Sequence, residues 1–546
     1  MKMSKFKKWF LGVSIVISIA ISGAFQSDFF EIAKQIDIYT TMFKELNMLY
    51  VDEVNPAELT QKSMNHMLQS LDPYTVYYDE QGIEDARMAQ DSDFGSIGAM
   101  VVFKNNALIV KELLKDSPAE KAGIITGDKI VKIGDILLKD FSGGAAALLN
   151  GAPNSTVTIV LERQKKQLEL TVSRKKMDVS PVPYYAMVTP EVGYIAFAKF
   201  TETASAEMKK AFLDLKEQGM KKLIIDVRSN PGGLLNEAVK ITNFFIPKDK
   251  IVVTTKGKIQ QFNQTYKTTQ EPLDLEMPIT VLINNRSASA SEILAGSLQD
   301  YDRAVVVGER SFGKGLVQQY RELSYGTQMK LTISKYYTPS GRCIQELDYT
   351  NRKKDGRVPK FSDAGREKYK TANGRTVYGG GGVLPDVDLK KVETTKTTEV
   401  LLESDAFFNY ATNYYFTTKT IGEPSKFKLK ESDYSDFKNY LSQHQSDFET
   451  ETEIVFKKGL ENSKIEHLNE DIEKSYNAIL GVIHSEKLKE IDKNKEEISA
   501  KLTEEIVKRY YFMEGAYQQK AHFDTAIYQA ASLLQNSASY EKLLKN

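Results

Sequence analysis

Apolar positions change rhythm several times along the chain. Between residues 28 and 92 the rhythm is helical: Phe30, Ile32, Ile36, Ile38, Met42, Phe43, Leu46, Leu49 and Tyr50 approximate one stripe. A second helix is predicted from the turn at Asn55-Pro56 to Leu71-Asp72-Pro73. Residues 93–178 switch to short β-prone runs at Ala99–Phe103, Leu108–Lys111, Lys129–Ile133, Thr156–Leu161 and Gln167–Ser173. Residues 179–390 alternate strands (Gly193–Lys199, Lys222–Val227, Ile279–Ile283, Ala304–Val307) with helices (Ala204–Gln218, Glu237–Phe245, Ser291–Leu298). Such alternation predicts a layered α/β core. The polar stretch Cys343–Gly382 ends in four glycines and reads as an exposed excursion from that core. Beyond a Lys/Thr-rich linker at Lys390–Glu399, residues 400–546 are charged and helix-prone, with apolar stripes at Thr503–Met513 and Ala526–Leu534. They read as a C-terminal helical accessory domain.

The amino terminus adds an address. Lys2, Lys5, Lys7 and Lys8 precede the apolar stretch Trp9–Phe25, the form of a basic n-region and an export segment. As a helix that stretch spans roughly 25 Å against a bilayer core of about 30 Å. Ser22-Gly23-Ala24 offers a small-x-small cleavage site. Residues 1–27 therefore fit a signal peptide or a membrane anchor. Either one puts the remainder outside the cytoplasm, on the periplasmic side of the cell envelope, because the positive end stays inside.

Composition narrows the chemistry. At 546 residues with 41% hydrophobic content, several ordinary folded domains are expected. Basic and acidic residues balance at 73 each, so nothing argues for a nucleic-acid partner. A single cysteine, Cys343, excludes an intrachain disulfide and any multi-cysteine metal site. The five histidines (His66, His444, His467, His484 and His522) leave residues 67–443 without one. An enzyme in that region works without a histidine base and without a histidine-ligated metal.

Two segments there carry chemistry. Asn285-Arg286-Ser287-Ala288-Ser289-Ala290-Ser291-Glu292 follows the run Ile279–Ile283, and Ser311-Phe312-Gly313-Lys314-Gly315-Leu316-Val317-Gln318 follows Ala304–Val307. Each emerges at a strand end, where reactive groups are commonly mounted. Serine paired with lysine is a known solution to acyl transfer. An ordinary lysine is protonated at neutral pH, and burial away from carboxylates is what frees it as a base. Ser289-Ala290-Ser291-Glu292 also fits a capping box, so a serine there can simply cap a helix. The same first turn presents unpaired amides to an oxyanion. A third segment, Asp226-Val227-Arg228-Ser229-Asn230-Pro231-Gly232-Gly233, places adjacent glycines at another strand end.

Ser117-Pro118-Ala119-Glu120-Lys121-Ala122-Gly123-Ile124 and Thr126-Gly127-Asp128-Lys129-Ile130-Val131-Lys132-Ile133 resemble a PDZ domain. That resemblance makes Phe94-Gly95-Ser96-Ile97-Gly98 a loop whose amides hold a peptide's terminal carboxylate. With the serine, lysine and Asn230-Pro231-Gly232-Gly233 motifs in this order, residues 30–390 resemble the C-terminal processing peptidases, also called tail-specific proteases. The resemblance implies a PDZ domain (93–178) and a serine protease core of crotonase-like type (179–390), set between the N-terminal helical region (28–92) and the C-terminal helical accessory domain (391–546) read from the pattern; the segment Cys343–Gly382 and the tail after residue 400 are less typical of the family. It further implies that Ser289 is the nucleophile, Lys314 the general base and Gln318 the residue that orients the lysine. The Ala290 amide and a glycine amide, Gly232 in the first instance, would form the oxyanion hole. No metal or organic cofactor is implied. Polypeptides bound through their carboxy termini would be the substrates, with an envelope adaptor protein and further copies of the chain as candidate partners. Family members often carry an Arg-Gly turn late in the PDZ domain, linked to its coupling with the active site; here Asn150 precedes Gly151 instead. Two rivals remain: a PDZ-bearing envelope scaffold with a degenerate core, and an acyl hydrolase on the same core.

Overall fold

In a computed structural model, the chain is described over residues 29–80, 82–83, 95–141, 144–177, 179–389 and 394–545. The expected export segment and Phe94 lie outside these residues. The chain divides into two compact units, Met1–Tyr77 and Tyr78–Asn546. In the first, residues 29–49 are helical, and Phe30, Ile36 and Met42 on the expected stripe are exposed. The helix Pro56–Gln69 follows; Asn55 caps it by accepting from the Ala57 and Glu58 amides at 3.1 and 3.3 Å, and proline occupies its first position.

The second unit begins with a PDZ domain. Its antiparallel sheet runs in the order β1 (Ala99–Lys104), β2 (Ala107–Leu113), β3 (Lys129–Ile133), β4 (Thr156–Arg163), β5 (Lys166–Ser173). Alternate residues of these strands, among them Leu108, Val110, Ile130, Ile159, Leu161 and Val172, close one core. Strand β1 is the edge and exposes Met100, Val102 and Phe103.

The protease core follows in the order β6 (Tyr184–Met187), β7 (Val192–Ala196), α1 (Ala204–Glu217), β8 (Lys222–Asp226), α2 (Leu235–Asn243), β9 (Ile251–Gly257), β10 (Gln264–Lys267), β11 (Ile279–Ile283), α3 (Ala290–Asp300), β12 (Val305–Gly308), β13 (Leu316–Glu322), β14 (Gln328–Tyr337) and β15 (Val387–Asp388). The main sheet runs β15-β12-β11-β8-β7-β6 and is parallel except for the β6–β7 pair. Every residue of β11 is buried, as expected of a continuous apolar run covered on both faces. Ile195, Leu223, Ile225, Val281 and Val306 face α1, α2 and α3. A second, antiparallel sheet joins β14 to both β9 and β13, and β9 to β10.

The carboxy-terminal part is helical: α4 (Lys396–Glu403), α5 (Ala406–Thr417), α6 (Glu431–Gln443), α7 (Glu451–Ile465), α8 (Glu470–Glu490), α9 (Lys495–Phe523), α10 (Thr525–Gln535) and α11 (Ser537–Lys545). Phe407, Tyr410, Phe437, Ile498 and Leu502 centre its own core. The last two helices of this region also pack on the protease core. Ile527, Ala530, Ala531, Leu534 and Tyr540 cover Tyr194, Ile224, Leu282, Val305 and Val307, the face of the main sheet opposite α1–α3. They supply the second helical layer of the protease core, because a half-covered parallel sheet must bury its other face. The same region also grips the PDZ domain. Lys104 and Lys111 both reach Asp405 at 2.7 Å, Lys115 reaches Glu514 at 2.8 Å, and Phe512 packs against the PDZ core.

Candidate active site

Ser289 stands at the N-terminus of α3 with φ 57°, in the left-handed region that non-glycine residues rarely occupy. Its neighbours hold it there. Only the carboxylate half of the expected capping box forms: the Ser289 N–H donates to Glu292 Oε2 at 2.8 Å, while the Ser289 hydroxyl makes no cap hydrogen bond. The other two serines of the motif are fully buried and committed elsewhere. Ser287 Oγ donates to the Val227 carbonyl at 2.7 Å and Ser291 Oγ to the Asn230 carbonyl at 3.0 Å. These bonds, with Ala288 N–H donating to the Asn230 carbonyl at 3.0 Å, rivet the serine loop to the loop after β8.

Lys314 lies in the loop before β13, half-buried. Its N–H donates to Glu292 Oε2 at 2.9 Å, the same oxygen that receives the Ser289 N–H. Glu292 Oε1 takes the Gly313 N–H at 2.7 Å and the Ser311 hydroxyl at 2.5 Å. One buried carboxylate thus ties both motifs together through four donors. Burial pushes its carboxyl up to about 7, against the lowering effect of those hydrogen bonds. Tyr336, buried on β14, adds a second tie. Its hydroxyl donates to the Lys314 carbonyl and stands 3.1 Å from the Ser289 carbonyl. Both residues escape a reading of the sequence motifs: Glu292 reads as a cap, and Tyr336 as one of several strand tyrosines. The available signal for Glu292 is a carboxylate inside a helix whose every position is buried, which demands partners beyond its own turn.

The remaining expected groups fall around this pair. Gln318 is on β13, where its Nε2 donates to Thr332 Oγ1 at 3.2 Å across the ladder. Ala290 opens α3, and its N–H has no hydrogen-bond partner among the described residues. Gly232 presses against it: a Cβ added there would meet Ala288 O at 2.7 Å, Ala290 N at 2.8 Å and Ser289 Cβ at 2.9 Å. With φ +98° as well, the position suits glycine alone. The Gly232 N–H departs from expectation, however, because it donates to Asn230 Oδ1 at 2.9 Å. The Gly233 N–H has no partner among the described residues.

The loop after β8 is fixed by charge. Arg228 Nη2 pairs with Asp226 at 2.7 Å and Arg228 Nη1 with Asp524 at 2.9 Å. Tyr194 donates to Asp226 at 2.9 Å. Burial works to raise the Asp226 carboxyl, but the adjacent guanidinium outweighs it and holds the carboxyl below its ordinary value. The stretch expected as an excursion instead begins and ends against the lysine loop. Gly315 N–H donates to Gln345 Oε1, Gly382 N–H to the Ile344 carbonyl (both 2.8 Å), and Glu346 N–H to the Gly313 carbonyl at 2.9 Å.

In the PDZ domain the expected carboxylate loop is partly occupied by its own chain. Gly95 N–H pairs with Gly151 at 2.7 Å, Ser96 N–H with Lys175 at 2.8 Å, and Gly98 N–H with Ser96 Oγ at 3.1 Å. Of the four amides, that of Ile97 has no partner among the described residues. The Asn150-Gly151 turn, which lacks the family's arginine, is covered by another. Arg174 donates to the Leu149 and Leu148 carbonyls at 3.0 and 2.9 Å.

Comparison with known proteins agrees with this arrangement. Residues 95–173 match the PDZ domain, 191–351 match peptidase family S41, and 397–534 match the probable PDZ-protease C-terminal helical domain. The carboxy-terminal-processing protease of Bartonella bacilliformis is 36% identical over 327 residues, which is 58% of this chain and 74% of that protein. A probable CtpA-like serine protease of Staphylococcus aureus is 36% identical over 337 residues, 60% of this chain and 66% of that protein. Among solved structures, the photosystem II D1 C-terminal processing protease aligns over 64% of this chain and 86% of its own, with 26% identity and a TM-score of 0.38. The family matches and the sequence relatives define a serine-type peptidase that carries a PDZ domain and a C-terminal helical domain. The chain belongs to peptidase family S41, with the carboxy-terminal-processing proteases as relatives.

Proposed function

We propose that this chain is an exported serine endopeptidase that cleaves polypeptides recognised through their carboxy termini, by a Ser–Lys acyl-enzyme mechanism on a core of crotonase-like type. The observation that carries the mechanism is the single oxygen, Glu292 Oε2, that receives both the Ser289 and the Lys314 N–H. The two backbones are no farther apart than those two bonds combined. Neutral Lys314 Nζ takes the Ser289 proton as Oγ attacks the scissile carbonyl carbon. The C–N bond breaks, the amine leaves with a proton from Lys314, and Ser289 keeps the acyl group. Lys314 then takes a proton from water as that water attacks the ester carbon, and returns the proton to Ser289 Oγ as the C–Oγ bond breaks and the carboxylic acid product leaves. Gln318 orients the lysine. The Ala290 N–H and an N–H of the Gly232-Gly233 pair bind the oxyanion, with Gly232 serving on release from Asn230. Residues 1–27 direct the chain to the periplasmic side of the envelope.

A fluorophosphonate probe tests the mechanism: peptide mapping should place the adduct on Ser289, and an adduct on Ser287 or Ser291 would refute the assignment. The PDZ reading rests on the exposed edge strand β1 and the Ile97 amide, unpaired among the described residues, which fit strand addition and carboxylate capture. Amidating the carboxy terminus of a long peptide substrate should weaken its binding and slow its cleavage, with little effect on peptides too short to reach both sites. Equal rates for acid and amide would remove tail recognition while leaving the protease assignment standing.

A further inference from the structure

The C-terminal helical region places a charge on the catalytic loop. Asp524 sits at the junction of α9 and α10. Its Oδ1 caps α10, accepting the Ala526 and Ile527 amides at 2.9 and 3.2 Å. The same carboxylate accepts Arg228 Nη1, at 3.1 Å to Oδ1 and 2.9 Å to Oδ2. Both side chains are about one-fifth exposed. On its other edge the guanidinium is held by Asp226, with Nε at 3.0 Å from Oδ1 and Nη2 at 2.7 Å from Oδ2. Arg228 is therefore clamped between a strand end of the core and a helix cap that comes from nearly three hundred residues later.

Its consequence lies in the residues that follow Arg228. Ser229 has φ 60° and donates its N–H to Asn284 Oδ1 at 2.8 Å. Asn230 accepts from Ala288 and Ser291, and its side chain accepts the Gly232 N–H. The loop that carries Gly232 against Ala290 thus has one flank fastened to the serine loop and the other to Arg228. Helix α10 lies on the main sheet through Ile527, Ala530 and Leu534, so Asp524 is a fixed post rather than a mobile surface group.

We propose that Asp524 is a positioning residue for peptide hydrolysis, acting through Arg228 to hold the 228–233 loop in register with Ser289 and Ala290. The C-terminal helical region is then part of the catalytic apparatus. This inference rests on the assignment of Ser289 as nucleophile. Asparagine caps a helix as well as aspartate does, so Asp524→Asn keeps the α10 cap through Oδ1 while it removes the charge facing Arg228 and turns the Oδ2 acceptor into a donor. In the whole chain, Asp524→Asn should lower kcat on fluorescein-labelled casein and the rate of Ser289 labelling by a fluorophosphonate by about 10- to 100-fold, the scale of a small misplacement of reacting groups. KM and the pH of half-maximal activity should stay at their wild-type values, since neither the substrate-docking surface nor the lysine is touched.

Ile527→Ala serves as the comparison. It strips packing from the same helix, should lower Tm more than Asp524→Asn, and should keep wild-type kcat below its Tm. Undiminished kcat and labelling in Asp524→Asn would overturn the inference. So would an equal loss of kcat in Ile527→Ala, since the effect would then be one of general packing. Ser289→Ala run alongside separates the two levels. If it still labels and hydrolyses, the nucleophile assignment has failed. If it is inert while Asp524→Asn is fully active, only the positioning role has.

Discussion

Ser289→Ala and Lys314→Arg are each expected to stop peptide-bond hydrolysis, with a loss of about 10³-fold or more in kcat, while the chain stays folded. The size follows from the way a nucleophile and its base act as one unit, so that losing either costs nearly as much as losing both. Ser289→Ala removes a hydroxyl that makes no cap hydrogen bond, so it costs at most the roughly 1 kcal/mol of a lost helix cap. Lys314→Arg keeps a long basic side chain but cannot accept a proton, because the guanidinium stays ionised. The two neighbouring serines provide the contrast. Ser291→Ala deletes one hydrogen bond to a backbone carbonyl, and Ser287→Ala deletes one to a carbonyl and one from the Asn284 N–H, a loss of about 1 kcal/mol per bond; both should retain substantial activity. Assays of labelled casein hydrolysis with circular dichroism on the same samples decide the matter. Full activity in Lys314→Arg would remove the lysine-base mechanism, and a dead Ser287→Ala beside a live Ser289→Ala would move the nucleophile.

The serine and lysine motifs were legible because short local patterns carried them: a capping box after an apolar run, and glycines flanking a lysine. The parallel strands were legible for a related reason, since Ile279–Ile283 and Val305–Gly308 are continuous apolar runs buried on both faces. The second sheet was not. Strands β13 and β14 carry mostly half-exposed residues, and Gln318-Gln319-Tyr320-Arg321-Glu322 offers no apolar alternation to read. The helix at Ala526–Leu534 was recognised as amphipathic, but a stripe says only that a face is buried and not against what. That it lies on β8 and β11 depends on closure over hundreds of residues. The same limit hid the reach of Glu292. Its bond to Ser289 spans three residues and is visible as a cap, whereas its bonds to Ser311, Gly313 and Lys314 exist only in the fold. The engagement of several expected backbone donors was hidden for a comparable reason. Gly95, Ser96 and Gly232 have the right sequence context, yet their amides are engaged by Gly151, Lys175 and Asn230, which the motif alone does not announce.

Glu292→Ala is expected to be nearly as damaging as loss of the nucleophile, although Glu292 performs none of the bond-making. The change strips the acceptor from three backbone amides and the Ser311 hydroxyl at once. Each donor left buried and unpaired costs roughly 1–3 kcal/mol, and the loops bearing Ser289 and Lys314 lose their shared anchor. A fall in kcat of about 100-fold or more should follow, on the same scale as a misplacement of about 1 Å between reacting groups. Should Glu292→Ala fail to fold, Glu292→Gln gives the answer with one oxygen retained. Its amide nitrogen can face Ser311, whose hydroxyl is able to turn and accept, so Ser289 and Lys314 stay tied to the remaining oxygen and only Gly313 loses its partner. Activity in Glu292→Gln should therefore exceed that in Glu292→Ala. The titration gives an independent check. Folded, the carboxyl is pushed up to about 7 by burial, and unfolded it returns to 4.5. The folded chain takes up this proton first, so the group's contribution to stability is full below about 4.5 and is lost as the pH rises through 7. Measured against Glu292→Gln, which does not titrate, wild-type unfolding free energy should decline across that window by on the order of 3 kcal/mol. A difference that is flat between pH 4.5 and 7, together with near-normal kcat in Glu292→Ala, would reduce Glu292 to a helix cap and leave Tyr336 as the tie between the serine and the lysine.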